Sequence, residues 1–345
     1  MVCLQHKRPS GYDDPMKTAA QQRSRMYRAI RTFFDERSYT EVDTPILSPT
    51  LIPEATIENF STRFENPFLP SKDLYLVPSP EIFMKQLIAE GIGSIYQISH
   101  CFRNSEQLGN IHNIEFSMLE YYTIGADEQD SITLTEDLIA SLLNEGSPQD
   151  LRPPFRRMTV AEAMLTYAGI DLEQHQRQSS LANEAQRLGL SLPPGPESWE
   201  DTFNRIFLTF VEPNLPQDRP LVLEQYPRQI ACLAKADGLY RRRWELYIRG
   251  VEIANCYDEE RSENTISAYY QSEYAKLVEN RMDSGSVIPD TDPALAHTFA
   301  SMPQCSGVAV GLDRLLMLLM DKSSLQGVIL FPLSDMLRNG DTRNL

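Results

Sequence analysis

The residues of this 345-residue chain that could do chemistry gather in three short stretches. One runs Glu245-Leu-Tyr-Ile-Arg-Gly-Val-Glu252-Ile-Ala-Asn255-Cys-Tyr-Asp-Glu259. Gly250 permits a turn between two antiparallel strands, so Glu245 and Glu252 lie beside one another, with Asn255 and Glu259 just beyond. Carboxylates placed in this way repel unless a cation lies between them. Mg2+ shared with substrate phosphates needs only one or two of them. Read in isolation, the same stretch is a solvated acidic strand face. The second stretch is Ser99-His-Cys-Phe-Arg103-Asn-Ser-Glu106, continued by His112-Asn-Ile-Glu115-Phe116-Ser-Met-Leu-Glu120-Tyr-Tyr122. Arg103 stands where a strand meets a turn, and its planar fork suits a carboxylate or a phosphate; the plainer reading is a surface ion pair with Glu106. Strand alternation puts Phe116, Met118, Glu120 and Tyr122 on one face, where a buried glutamate without a partner is costly, so Glu120 is expected to face a ligand. The third is Cys305-Ser-Gly307-Val-Ala309-Val-Gly311-Leu-Asp-Arg314, a strand of small residues running into a helix. Small residues allow close approach, and Arg314 in the first helical turn can hold a phosphate. Alone, it reads equally as tight strand-helix packing.

The elements that must position these residues follow from periodicity. Met26, Ile30, Phe33 and Phe34 recur at helical spacing and predict an amphipathic helix over 15–37. A β-prone run at 39–44 stops at Pro45, and a short strand at 74–77 breaks at the Pro78-Ser79-Pro80 turn before a helix at 81–89. Strands at 95–98 and 114–122 flank a polar turn as an antiparallel hairpin with a long tip. Leucine spacing, a Thr159/Glu162 capping box and a segment from Trp199 predict helices within an insertion at about 130–215. Strands resume at 221–223, 244–248, 251–254 and 307–310, followed by a helix at 313–320. This order favours an α+β fold, an antiparallel sheet with helices around it, over a doubly wound one.

Lys+Arg 32 against Asp+Glu 48 gives a net charge of -16, which disfavours a broad nucleic-acid face. No stretch approaches the length of a membrane span, and the N-terminal residues lack an apolar leader, so a cytoplasmic protein is expected. Five scattered cysteines, Cys3, Cys101, Cys232, Cys256 and Cys305, predict reduced thiols rather than a disulfide framework.

In order, the three stretches resemble the three motifs of class II aminoacyl-tRNA synthetases, most closely lysyl-tRNA synthetase catalytic domains, from about residue 20 to 335. The short stretch ahead of the first motif helix leaves no room for an anticodon-binding domain, so a single catalytic domain over 1–345 is expected. Ala309, where the synthetases carry a further glycine, and the segments Thr56-Ile-Glu-Asn-Phe60 and Ser-Thr-Arg63-Phe64 resemble the elongation factor P lysine ligase family. That resemblance implies that ATP and lysine, preferentially (R)-β-lysine, form an aminoacyl-adenylate that a lysine side chain of elongation factor P attacks. It implies Arg103 on the α-phosphate and substrate carboxylate and Arg314 on the γ-phosphate, as the catalytic arginines. Mg2+ would sit at Glu245 and Glu252, with Glu106, His112, Glu115 and Phe116 around the adenine. Glu81 would take the amine near the reacting carboxyl, and Glu120, Tyr122 and Glu259 the distal amine; Asn255, Ala309 and Gly311 would complete the amino-acid pocket. It also implies a homodimer through residues 20–50.

Three departures stand out. The Arg103–His112 turn is longer than the family's, 109–111 carries no arginine, and Cys256 replaces a usual glycine beside Asn255. Lys72, Arg228 or Arg241, Arg242 and Arg243 are the cations available to compensate. Other readings are an orphan synthetase core that charges another acceptor, tRNA included, and a non-catalytic aminoacyl-binding regulator. The acidic balance counts against tRNA.

Overall fold

The computed structural model describes residues 15–105, 109–191, 193, 195–282 and 285–341. The first predicted helix forms as α1 (Pro15–Asp35), with Met26, Ile30, Phe33 and Phe34 all buried. Phe34 stacks on Tyr96 at 4.6 Å between ring centroids and meets Tyr121 at 5.1 Å, which fastens α1 beneath the main sheet. Short strands β1 (Thr40–Glu41) and β2 (Leu47–Ser48) follow, then a hairpin of β3 (Ser61–Asn66) and β4 (Leu69–Leu76). That hairpin is mostly exposed, so it lacks the apolar alternation that would announce it, and only its buried end near Tyr75 matches the expected strand at 74–77. Helix α2 (Glu81–Ala89) has the predicted bounds.

Strands β5 (Ile95–Phe102) and β6 (Glu115–Ile124) form the expected hairpin, paired from Ile95↔Tyr122 to Phe102↔Glu115. The insertion holds α3 (Glu128–Leu142), which packs on the main core, and β7 (Arg156–Thr159), α4 (Val160–Ala163), α5 (Gln178–Arg187) and α6 (Trp199–Ile206), gathered on a separate apolar cluster around Phe203 and Ile206. The Thr159/Glu162 capping box is present. Within this helical stretch β7 is a strand after all, and it pairs in parallel with β8 (Leu221–Pro227) at the edge of the sheet. The chain continues through β9 (Ala236–Asp237), β10 (Tyr240–Ile248), β11 (Val251–Asp258), α7 (Glu263–Arg281), α8 (Ala294–Ala300), β12 (Cys305–Gly311), α9 (Leu312–Leu319) and α10 (Leu333–Asp341).

Among the described residues the main sheet runs β1-β5-β6-β12-β11-β10-β8-β7, with β9 beside β10. Its inner pairings are antiparallel, and only β1 on β5 and β7 on β8 are parallel. This is the expected α+β fold, with parallel edges added. One face packs on α1, α3 and α9 around Phe34, Tyr121, Trp244, Cys256 and Leu316. Truncation of a core residue such as Trp244, with no exposed surface, costs about 3–5 kcal/mol. The other face is covered at one side by α2, α7 and α8, and its centre carries the polar residues picked out from the sequence.

Candidate active site

Register explains why residues far apart in sequence meet. Glu120 of β6 pairs with Ala309 of β12, Ala309 with Asn255 of β11, and Asn255 with Glu245 of β10, so the four share one row across one face. The next row on that face is Tyr122, Gly307, Tyr257 and Arg243. Period-2 alternation along each strand then places Phe116 and Met118 with Glu120, as the sequence predicts. Two adjoining cavities open over this grid, and Arg103, Met118, Asn255 and Ala309 line both.

The larger cavity, about 250 Å³, is lined by Arg103, His112, Phe116, Glu252, Gly311 and Arg314 among others. Arg103 follows directly on β5, and its backbone N–H bonds the Ile114 carbonyl. Its guanidinium lies 5.3 Å from the centroid of the Phe116 ring, and its Nε is buried with no hydrogen-bond partner among the described residues. An orphaned, charged donor aimed into a cavity calls for an anion. Arg314 is fixed by donating to the carbonyls of Ile111 and Glu252, each at 3.0 Å. Asp313, beside it, accepts from the Ser117 backbone and pairs with Arg23 of α1 at 2.6 Å, which clamps the helix start against β6.

Of the two carboxylates predicted to hold a metal, Glu252 lines this cavity and Glu245 does not. Glu245 is buried beneath it, where Tyr226 and Tyr247 donate to one oxygen, at 2.5 and 2.8 Å, and Arg243 pairs with the other at 2.5 Å. Burial, then the neighbouring Glu245 charge, pushes the Glu252 carboxyl up to about 7 against the pull of Arg314, Arg243 and Arg103. Glu252 therefore fits a cation shared with phosphates, whereas Glu245 could join only with Arg243 displaced. Among the described residues no group of three or more His, Cys, Asp or Glu is arranged to hold a metal by protein ligands alone.

The smaller cavity, about 80 Å³, is acidic: Glu54, Glu81, Glu120 and Glu259 all line it. Glu120 accepts from Ser79 Oγ at 2.6 Å and from Tyr122 Oη at 2.7 Å. Burial, then the nearby Glu81 charge, raises it to about 8 despite those donors. Glu259 is raised to about 7 by burial, with Lys85 opposing. Lys85 is fully buried in α2 and lies 2.5 Å from Glu81 and 2.7 Å from Glu259. Burial disfavours its charge, but the two carboxylates outweigh that and hold it protonated. Gly307 supplies the space, since a Cβ there would stand 2.6 Å from both Glu259 Oε1 and the Tyr122 ring.

Most of the predicted residues thus converge. Arg103, Arg314, His112, Phe116, Glu252, Asn255, Ala309 and Gly311 line the larger cavity, and Glu81, Glu120, Tyr122 and Glu259 the smaller. Glu115 does not converge, because alternation turns it outward, where it pairs with His100 at 3.0 Å on an exposed surface. Glu106 lies outside the described residues, as does Cys3. Cys256 points away from Asn255 into the core, so the usual glycine is replaced on the far side of the sheet. Neither Lys72 nor Arg228 lines either cavity, and neither do Arg241, Arg242 and Arg243.

Sequence reasoning missed Lys85, Ser79 and Glu54, and it offered Arg243 as a phosphate-side cation where the structure pairs it with Glu245. Lys85 carried a usable signal, a lysine in the middle of the buried stripe Ile82, Met84, Ile88 of α2, four residues from Glu81.

An arginine-flanked cavity joined to an acidic one thus lies on a largely antiparallel sheet flanked by helices, the fold class of the class II synthetases. A family model described as "tRNA synthetases class II (D, K and N)" matches residues 10–335, and the chain belongs to that family. Within it, the chain is a ligase-type enzyme. It is 36% identical over 330 residues to the elongation factor P–(R)-beta-lysine ligase of Vibrio cholerae, covering 92% of this chain and 98% of that protein. The Vibrio parahaemolyticus protein of the same name is 35% identical over 317 residues, covering 90% and 94%. A lysine–tRNA ligase of Pelotomaculum thermopropionicum is 35% identical over 335 residues, but the match spans only 64% of that protein.

Proposed function

We propose that the enzyme uses ATP to activate lysine, preferentially (R)-β-lysine, as an aminoacyl-adenylate and transfers it to a lysine side chain of elongation factor P. The observation that carries this reading is the junction of the two cavities at Arg103, which places an anion-seeking guanidinium between a phosphate-sized space and a carboxylate-lined one. The amino-acid carboxylate attacks the α-phosphorus, the bond to the β-phosphate breaks, and pyrophosphate leaves. Arg103 offsets the charge that develops there and Arg314 takes the terminal phosphate, while Phe116 offers a ring face to the adenine. Glu81, Glu120 and Glu259 hold the substrate's ammonium groups, and the methyl of Ala309, which lines both cavities, favours an amine displaced from the α position. Glu252 would hold Mg2+, which when bound would supply charge neutralisation for the phosphates. No side-chain nucleophile is required.

The enzyme acts in the cytoplasm in this reading, in keeping with buried, unpaired Cys101, Cys232, Cys256 and Cys305. A homodimer through α1 and the adjoining strands is expected, with Ile46 and Leu47 exposed in the described chain.

ATP–pyrophosphate exchange measured across a panel of amino acids tests the activation step. Exchange is expected with (R)-β-lysine and, more weakly, with lysine; no exchange with any amino acid would overturn the reading. Labelling of purified elongation factor P by the charged amino acid, and not of bulk tRNA, tests the acceptor.

A further inference from the structure

Glu54 lines the amino-acid cavity but has no part in the roles assigned above. Its carboxylate takes no hydrogen bond and no ion pair among the described residues, unlike Glu120 with its two hydroxyl donors and unlike Glu81 and Glu259 with Lys85. The loop that carries it is nevertheless fixed. Glu273 of α7 accepts from the Ala55 backbone N–H at 3.1 Å, and Arg281 of the same helix donates to the Ile57 carbonyl at 2.5 Å and pairs with Glu58 at 3.2 Å. Across the loop, Asn104 donates its backbone N–H to the Glu58 carbonyl at 2.8 Å, so the strand end bearing Arg103 and the loop bearing Glu54 are stitched together. A side chain held on such a support, yet left without a partner, is preorganised for something that arrives.

The transfer step needs what Glu54 offers. An acceptor lysine enters as an ammonium ion and cannot attack a carbonyl until it loses a proton. The titratable groups around Glu54 are Glu81 and Lys85 from α2, Arg103 at the end of β5, Tyr257 from β11, and Tyr269, Tyr270 and Glu273 from α7. Burial, then Glu81, pushes its carboxyl up to about 7, with Arg103 and Lys85 opposing. A base poised near neutral pH is the kind that proton transfer favours.

Resting on the proposed adenylate reading, we propose that Glu54 is the general base of the transfer step and deprotonates the incoming lysine ammonium beside Arg103. One ammonium proton passes to Glu54 and the freed lone pair forms the new C–N bond. The C–O bond to the α-phosphate breaks, AMP leaves with both electrons, and the second proton is lost to water as the amide forms. No oxidant, reductant or further reactant is needed.

The test is Glu54→Gln, which keeps the shape and removes the base. Three rates are measured from pH 6 to 9: pyrophosphate exchange with (R)-β-lysine, labelling of elongation factor P, and hydroxamate formation with hydroxylamine, a nucleophile already uncharged at neutral pH. The expected result is exchange and hydroxamate formation within about twofold of the unmodified enzyme, with labelling reduced about 10²-fold. In the unmodified enzyme the ratio of labelling to exchange rises through about pH 7 and then levels off, whereas in the variant it keeps rising to pH 9 with the free-amine fraction of the acceptor lysine. The ratio removes the titrations of Glu120, Glu252 and Glu259, which act on both steps. Glu54→Asp, which shortens the reach but keeps the base, recovers part of the labelling. A raised KM for (R)-β-lysine in exchange with labelling falling in proportion would overturn the proposal and make Glu54 a substrate contact. Labelling unchanged in Glu54→Gln would overturn it outright. Absence of exchange in the unmodified enzyme would instead count against the adenylate reading itself.

Discussion

The two cavities that meet at Arg103 solve opposite electrostatic problems. The larger is built for anions: its arginines are anchored by backbone carbonyls or stacked on Phe116, while Glu245, which does not line it, is held by Arg243 and two tyrosines. The smaller sets Glu81, Glu120 and Glu259 around the amino-acid space, and Glu81 and Glu259 share the buried Lys85 ammonium. Arriving phosphates find charges already screened and placed. An arriving diamine completes a set of charges that the protein leaves short of cations. Activity should therefore be most fragile on the anion side, and stability most dependent on substrate on the acidic side.

The largest effect is expected at the shared residue. Arg103→Ala removes the donor that faces both cavities, and exchange should fall about 10³-fold, with the melting temperature little changed. A loss confined to the KM for ATP, with kcat intact, would break the picture of Arg103 as the bridge between them. Next is Lys85→Met. Removal of one partner from a buried ionic cluster leaves two carboxylates uncompensated, and urea unfolding should show a loss of about 3–5 kcal/mol. Adding Glu259→Gln to that variant should restore part of the stability without restoring exchange; restored exchange would mean that the acidic cavity does not bind the substrate amines.

The third effect is on pH. Glu120 and Glu259 are raised to about 8 and about 7, above the ordinary carboxylate value of an unfolded chain. Each therefore favours the folded state in its protonated form. That stability is fully present below about pH 4.5 and is lost as pH rises through 7 and 8, since the unfolded chain then holds fewer protons than the folded one. Without ligand, the contribution of this cavity should decline across that window, and the stabilisation by added (R)-β-lysine should grow over the same interval. Glu120→Gln should flatten both trends. Thermal unfolding at pH 5 and pH 8.5, with and without the amino acid, measures them.

How much of this was legible in sequence follows from which signals are local. The α1 stripe, the capping box at Thr159 and the alternation from Phe116 to Tyr122 are local patterns, and each forms where it was expected. The convergence of Glu120, Ala309 and Asn255 in one row depends on register among strands far apart in the chain, and only the family motifs made it visible. Glu115 shows the limit of motif transfer, because one step of alternation puts it on the opposite face from Phe116. The sequestration of Glu245 was invisible because its partner Tyr226 comes from a strand whose predicted extent stopped at 223, short of the residue that matters. Glu54 sits in a loop with no periodicity, and its support comes from α7, an element the sequence reading left unassigned.

The smallest effect sharpens the comparison by showing what lies outside both cavities. Cys256 stands one residue from Asn255, so a change there looks like a change in the site. Alternation says otherwise: Asn255 faces the cavities and the Cys256 thiol is fully buried in the core under α3, where burial holds its pKa well above the usual thiol value. Cys256→Gly deletes a small buried side chain and loosens a central strand, which together cost about 1–2 kcal/mol. Exchange and its KM for (R)-β-lysine should stay within about twofold of the unmodified enzyme, and alkylating reagents should leave the folded protein untouched at this position. A larger change in KM with stability preserved would show that the core face of β11 is coupled to the amino-acid cavity. The two faces of the sheet would then have to be treated as one device rather than as a support and a site.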